Sequence, residues 1–495
     1  MTNIFQLIRQ VISRMFPAKS IEQVERIESP LTSEMINALE TWADMYMDKA
    51  PWLKEGTVKS LNLPAQIASE IARQVVMEVK WNITGGTKVG KDGEAQEEVE
   101  NPRSKYLKEE FTRLMDDLRL KLEQGCAAGG MTIKPYPKDG HLYFDWTMDW
   151  SLYPVSFTND HKLKDVIFRD SYQDGKVTYS RLERHTMVPE GIRITQRAFK
   201  SLNRETIGTE IPLTDVEMWK DLKPEVIVKD TEGQLFGWFR VATANNVDID
   251  GPMGISVFHK ATQSIEEADK QWSRLSWEFE GSELAIDVDP TVLRPKEGKD
   301  GVMEVPKLNQ RLFRGVDLGE DASYHVFNPT IRDASLINGL NNILMRVEDQ
   351  TGLARGTFSA VTSEARTATE LKIVRNRTYS TIADNQKALE RCLKDVIRAM
   401  DKFASLYNLA PEGNYEVSFE WDDSIVVDTT QQLGERLQLV SVGAMDKAEL
   451  REWYLGETKA QAEAAIAKIQ QAALQQNMEM LMMQTDINNS PPKGV

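Results

Sequence analysis

FGWFRVATANNVDIDGPMGISVFHKATQSIEEADKQWSRLSWEFE, residues 236–280, is the stretch that decides how this chain reads. It opens on a strand-like apolar run (Phe236, Trp238, Phe239, Val241), turns at Asn245-Asn246 and passes Gly251-Pro252 before the pattern changes. From Phe258 the apolar residues are Phe258, Ala261, Ile265, Ala268, Trp272, Leu275 and Phe279, alternately three and four apart. That spacing predicts a helix whose heptad seam packs lengthwise against a neighbour. The seam needs an apolar partner. Either a returning helix of the same chain supplies it, as an antiparallel pair inside a monomer, or an adjacent subunit shares it.

Outward from this segment, 495 residues are too many for one ordinary core and suggest roughly two to four folding units. With 41% apolar and 27% charged residues the chain is of globular composition. No apolar run reaches the length of a membrane-spanning helix. Ile4, Ile8, Val11, Ile12 and Met15 share a helical face, but Arg9 and Arg14 break the continuity that a secretory signal needs, so residues 1–29 read as a short docking or poorly ordered arm, with a membrane-lying helix as the lesser alternative. Cys126 and Cys392 cannot form a disulfide framework and fit a reducing compartment. The net charge of −16 argues against gripping DNA with the overall surface, yet allows a protein that surrounds DNA without holding it.

Periodicity predicts helices over 32–49, over a stretch starting after Pro64 and running through Ile67, Ile71, Val75 and Val79, and over 104–124. Residues 85–101 read as an exposed polar loop. After Gly129-Gly130, short alternating runs (141–146, 176–182, 191–195) predict antiparallel sheet to about residue 241. A second strand-rich region covers 281–331. A helix returns at Asp333 with Ile337, Leu340, Leu344 and Val347 on one face. Beyond the segment 354–367, the absence of Pro and Gly from Thr357 to Ala410 permits one helix over 366–406, about 60 Å long. A strand pair is expected around 415–427, then C-terminal helices and a Pro-Pro tail.

The wording of 241–280, with NNVDIDGPMGISVF leading into the helix, and TATELKIVRNRTYSTI (367–382) resemble the portal proteins of tailed bacteriophages, nearest to the branch in temperate phages of Gram-positive hosts. The resemblance covers roughly residues 30–480. It implies an α+β, mainly helical portal fold: an arm (1–29), a wing (30–256), a first stem helix (257–280), a strand-rich clip (281–331), a second stem helix (332–352), a tunnel loop (353–366), a long spine helix and wing return (367–428), crown helices (429–484) and a flexible tail (485–495). It further implies a homo-oligomeric ring, twelve subunits by resemblance, at one capsid vertex of the virion, assembled in the host cytoplasm, through which double-stranded viral DNA is packaged and ejected. Partners by resemblance are the large terminase subunit, the head–tail adaptor and the major capsid and scaffolding proteins. No cofactor, membrane or enzymatic activity is implied.

On this reading Phe258, Ile265, Trp272, Leu275 and Phe279 form the oligomer seam. Arg355, Phe358, Ser359, Thr362 and Arg366 belong to the tunnel loop, whose glycines Gly352 and Gly356 give it freedom to move. Within 366–402 nine Lys or Arg stand against five acids, a net-positive helix in an acidic chain. These cations pair along the helix or between subunits, or a few of them, Lys372, Arg375 and Arg377, touch the DNA backbone. Few such contacts suit a channel through which DNA slides, because each neutralised phosphate strengthens binding. Catalytic patterns are missing: there is no phosphate-binding G-x-x-x-x-G-K-[ST] loop, and the five histidines are scattered. Asp287 with Asp289, and Asp422-Asp423 with Asp428, lack further ligands and read as solvated surface. Two competing classes remain, a cytosolic helical scaffold without a channel and a metal-dependent nuclease using those aspartates.

Overall fold

The computed structural model describes residues 18–53, 56–77, 79–88, 97–98, 100–202, 206–288, 296–297, 303–304, 312–316, 324–360, 368–421, 429–456, 459 and 461–471. The chain divides into two units, 1–421 and 422–495.

The first unit begins with helices. Helix α1 spans Ala18–Glu25 and α2 spans Ser33–Tyr46, started by Thr32, whose hydroxyl accepts the Met35 N–H. Helix α3 (Leu63–Val76) stops short of Val79, where the sequence pattern had it continue. The β-branched and aromatic alternation that follows forms the strand Lys80–Thr84 instead. Its partner is the distant strand Glu416–Glu420, which sets Trp81 opposite Phe419 and Ile83 opposite Val417. Of the strand pair expected around 415–427, the first strand is Glu416–Glu420, and residues 422–428 lie outside the described ones. Helix α4 (Pro102–Ala128) starts at a capping box in which Asn101 and Ser104 each accept the other's backbone N–H. Leu107, Phe111, Leu114, Leu118 and Leu122 recur at helical spacing and are all buried.

A six-stranded antiparallel sheet follows the order of its meander: Tyr153–Phe157, Leu163–Asp174, Val177–Val188 and Gly191–Ser201, with Thr209–Ile211 and Glu225–Lys229 both on the free edge of the last. Helix α1 docks on it: Ile21 packs with Tyr153, Ile167 and Phe199, and Glu25 holds Arg197 at 2.8 Å. A three-stranded sheet places Gly130–Lys138 between His141–Met148 and Gly237–Arg240. Helix α5 covers Thr262–Gly281, α6 Asp333–Thr351 and α7 Ala368–Leu406, about 58 Å of continuous helix. The first unit's main core joins Trp42, Ile67, Phe111, Phe239, Phe258, Ile265, Leu389 and Val396, while α1 and the six-stranded sheet bury their apolar residues in smaller clusters. The second unit contains α8 (Thr429–Ser441) and α9 (Lys447–Leu455), with the Arg436 guanidinium 4.3 Å from the centre of the Trp453 ring, and helix continues over 461–471.

The NNVDIDGPMG segment owes its wording to two close approaches. Asn245 closes the loop on itself: its Oδ1 accepts the Val247 and Asp248 N–H groups at 2.9 Å, and its Nδ2 donates to the Met253 carbonyl at 3.1 Å. Gly254 then passes backbone to backbone over Gly129, the left-handed residue (φ +88°) that ends α4, and the Val257 N–H reaches the Cys126 carbonyl at 3.1 Å. A Cβ on Gly254 would land on the Gly129 carbonyl, which belongs to rigid backbone. Gly254→Ala is expected to destabilise the protein by about 1–3 kcal/mol, read as a lower urea midpoint with an unchanged slope.

One buried acid stands out. Asp149 is fully buried, accepts Trp238 Nε1–H at 3.1 Å, and is pushed by desolvation up to about 7, against the opposing effects of that bond and of Arg240. With a folded pKa above the unfolded one, the folded protein binds the extra proton between pH 4 and 7. Stability from this group therefore falls as pH rises through that window and stays low above it. Asp149→Asn is expected to be near neutral at pH 4 and stabilising at pH 8 by on the order of 3 kcal/mol, flattening the melting temperature against pH. An unchanged slope would show that Asp149 stays ionised throughout.

Candidate functional site

Helices α5 and α6 run antiparallel as a pair, and their two ends differ. Toward the core, Phe258, Ala261, Ile265 and Ala268 are wholly buried with Leu340 and Val347 of the returning helix. Phe258 precedes the helix, which is entered through a single 3-10 turn, His259–Ala261. Midway along α5, buried Asp269 accepts Trp52 Nε1–H at 2.9 Å and the Leu61 N–H at 2.8 Å, while Ser273 Oγ accepts the Lys59 N–H at 2.7 Å. These bonds lay Trp52, Lys59 and Leu61 along the helix. Burial raises the Asp269 pKa, so the two donors are what keep an acid tolerable there.

At the far end Glu278 takes three bonds from Arg332, from Nη2 at 2.7 Å, Nε at 3.1 Å and the backbone N–H at 3.2 Å. This clamp closes the base of the insert between the helices. Beside it the side chains change character: Trp277 is 66% exposed and Phe279 47%, and Leu284, Tyr324, Val326, Ile331 and Ile337 are exposed too. In the insert, Ala285–Val288 pairs antiparallel with Tyr324–Phe327 and parallel with Phe313–Gly315. Asp287 binds Arg314 Nε at 2.8 Å and His325 Nδ1 at 3.2 Å, and these bonds lower its pKa. Its carboxylate is thus committed to Arg314 and His325, while Asp289, Asp422, Asp423 and Asp428 lie outside the described residues. Among the described residues no group of three or more His, Cys, Asp or Glu gathers as a metal site.

The turn after α6 departs most from expectation. Gly352 caps the helix in the left-handed region (φ +78°), and the next residues wrap around one side chain, Glu348, which is completely buried. Its Oε1 accepts the N–H groups of Phe358 at 2.6 Å and Ser359 at 2.8 Å; its Oε2 accepts Ser359 Oγ–H at 2.8 Å and the Gly356 N–H at 3.2 Å. The Ala360 N–H adds a bond to Asn341 Oδ1 at 2.6 Å. Arg355 turns away to a bidentate pair with Asp349, at 2.7 and 3.1 Å. Residues 353–360 are therefore a fastened turn rather than the free loop that Gly352 and Gly356 suggested. Thr362 and Arg366 lie outside the described residues.

Of the predicted seam, Phe258, Ile265 and Leu275 are buried by the chain itself, Trp272 is half-buried against the main core, and Phe279 is open. Lys372, Arg375 and Arg377 stand on the helical backbone of α7, but their side chains lie outside the described residues. Further along α7, Lys394 pairs with Glu390 at 2.7 Å and Arg398 with Asp395 at 2.9 Å, along the helix itself. The sequence pattern marks Asn245 only as a turn residue and does not mark Glu348 or Asp269. Glu348 did leave a signal: an acid in the last turn of a helix opposes the helix dipole and calls for a compensating partner.

Among the described residues no helix is long and apolar enough to cross a membrane. No curated protein matches the chain. A family model described as Phage portal protein, SPP1 Gp6-like, matches residues 38–480, nearly the whole chain. Members of this family are structural proteins of the capsid vertex, assembled as rings that meet capsid and packaging components. The pair of antiparallel helices, the strand insert between them, the fastened turn and the long helix that follows thus occur in a chain that belongs to the SPP1 Gp6-like phage portal proteins.

Proposed function

We propose that this chain assembles into a ring, of twelve subunits, whose bore carries double-stranded DNA into and out of the phage head. In this reading α5 and α6 are the stem, and the insert 281–331 is the clip that docks the large terminase subunit and later the head–tail adaptor. Helix α7 is the spine of the wing, residues 353–366 approach the bore, and residues 429–484 are the crown. Lys372, Arg375 and Arg377, with Arg366, supply a few contacts to passing phosphates in an otherwise acidic protein, consistent with the net charge of −16. The temperate phages of Gram-positive hosts are the group from which such a chain is expected.

The observation that carries this reading is the two-ended helix pair. One end is saturated by the chain's own core, while the other presents Trp277, Phe279 and Ile337 to solvent. Identical subunits that cover such a surface head to tail close into a ring when the rotation closes. Negative-stain images of the purified protein test it: hollow rings with a central bore are expected. Rods or small solid particles would favour the scaffold class, and metal-dependent cleavage of DNA by the purified protein would restore the nuclease class.

A further inference from the structure

A cavity of about 940 Å³ opens in the first unit between the turn 158–163, the segment 240–254 and the outer face of α7. Its volume lies at the upper end of the range for small-molecule sites, roughly 300–1,000 Å³, and its wall includes Phe236, Trp238 and Met253. The charged lining falls into two groups. Lys162 is held by Asp160 at 2.8 Å and Arg398 by Asp395 at 2.9 Å, so both cations are neutralised locally. Arg240 and Arg391 also line the cavity, and among the described residues neither has a carboxylate within ion-pair distance. Glu232 and Asp250 belong to the lining without reaching either arginine.

Arg240 is fixed in place. Its guanidinium lies 4.9 Å from the Trp238 ring centre, and its Nη1 donates to the Pro252 carbonyl at 2.6 Å. Burial lowers the Arg240 pKa most; Asp149 behind it acts the other way, and Arg391 adds a smaller repulsion. Arg391 is exposed, its Nε–H donating to the Lys387 carbonyl of its own helix at 3.2 Å. Two arginines without an ion-paired carboxylate among the described residues thus line one partly aromatic cavity. A single carboxylate answers one of them. A phosphate, with several acceptor oxygens and more than one negative charge, answers both, and guanidinium forks match its geometry.

We propose that this cavity is a binding site for a phosphorylated ligand of nucleotide size, its phosphate bridging Arg240 and Arg391 and its ring or apolar body against the Phe236–Trp238 wall. The shared chemistry fits a free nucleotide or the terminal nucleotide of a DNA strand. One chain supplies all the residues named here, so the site exists without a ring.

The test is calorimetric titration of the full-length protein with pyrophosphate, a deoxynucleoside triphosphate, a short single-stranded oligonucleotide and, as control, citrate. Arg391→Gln is expected to weaken phosphate binding about tenfold or more while leaving the melting temperature of the unliganded protein unchanged. Arg240→Lys, which keeps the charge and loses the fork, is expected to weaken it similarly. Binding of the nucleotide that the oligonucleotide displaces would identify a strand end as the source, and binding without displacement a free nucleotide. Phosphate binding of wild-type strength in Arg391→Gln, no binding of any phosphate compound, or equal binding of citrate would overturn the proposal.

Discussion

Glu348→Ala is expected to release the turn 353–360 while leaving the helix pair folded. The substitution removes the acceptor for the Gly356, Phe358 and Ser359 N–H groups and the Ser359 hydroxyl at once. A buried donor left unpaired costs roughly 1–3 kcal/mol, and part of that is recovered as the turn moves into water, so a loss of about 2–4 kcal/mol is expected. Glu348→Gln should fall between. Its carbonyl can still serve Phe358 and Ser359, but its NH₂ faces the Gly356 N–H, and of the remaining two donors only the Ser359 hydroxyl can rotate to accept. Amide exchange at 356, 358 and 359 is the direct readout, faster by ten- to a hundredfold in the alanine variant for every 1.4–2.8 kcal/mol or so of opening free energy lost. On the portal reading, phages carrying Glu348→Ala should assemble rings and retain DNA poorly. Unchanged exchange at these amides would mean that the turn is held by something other than Glu348.

This case also marks where the sequence stops being legible. Periodic elements are readable because they express local spacing: α5 and α6 lie where the apolar pattern puts them, α7 lies where the absence of Pro and Gly permits a helix, and the antiparallel sheets follow the alternating runs. The pairing of Lys80–Thr84 with Glu416–Glu420 was not readable, since alternation says that a strand exists and not which strand more than three hundred residues away completes it. The heptad spacing shows a packing surface, and only the resemblance assigns it to an interface between subunits. A seam filled by the same chain and one shared between chains have the same spacing, and only the burial of Phe258 and Ile265 beside the exposure of Phe279 separates them. The turn after α6 misled in another way. Small residues and two glycines look like freedom, but a turn's mobility depends on what its backbone N–H groups bind, and here they bind an acid that precedes them by eight residues or more.

Trp277→Glu combined with Phe279→Glu is expected to abolish ring formation and leave the protomer's own stability nearly untouched. Both rings are largely exposed within one chain, so exchanging them costs the fold about 0.5 kcal/mol or less. If a neighbouring subunit covers them, each aromatic buries on the order of 150–250 Å² and is replaced by a charge that must be desolvated at every interface of the ring. Truncating such anchors typically costs 2 kcal/mol or more per contact, and a closed ring multiplies the loss by its number of interfaces. The core end of the same helix pair should behave in the opposite way. Phe258→Ala opens a cavity at a wholly buried position and should destabilise the protomer by about 3–5 kcal/mol, and half-buried Trp272→Ala should disturb both stability and assembly. Sedimentation velocity and thermal melting on the same samples separate the two ends. Intact rings formed by the Trp277/Phe279 double variant would show that the open end of the helix pair faces solvent in the assembly, and that the subunits meet elsewhere.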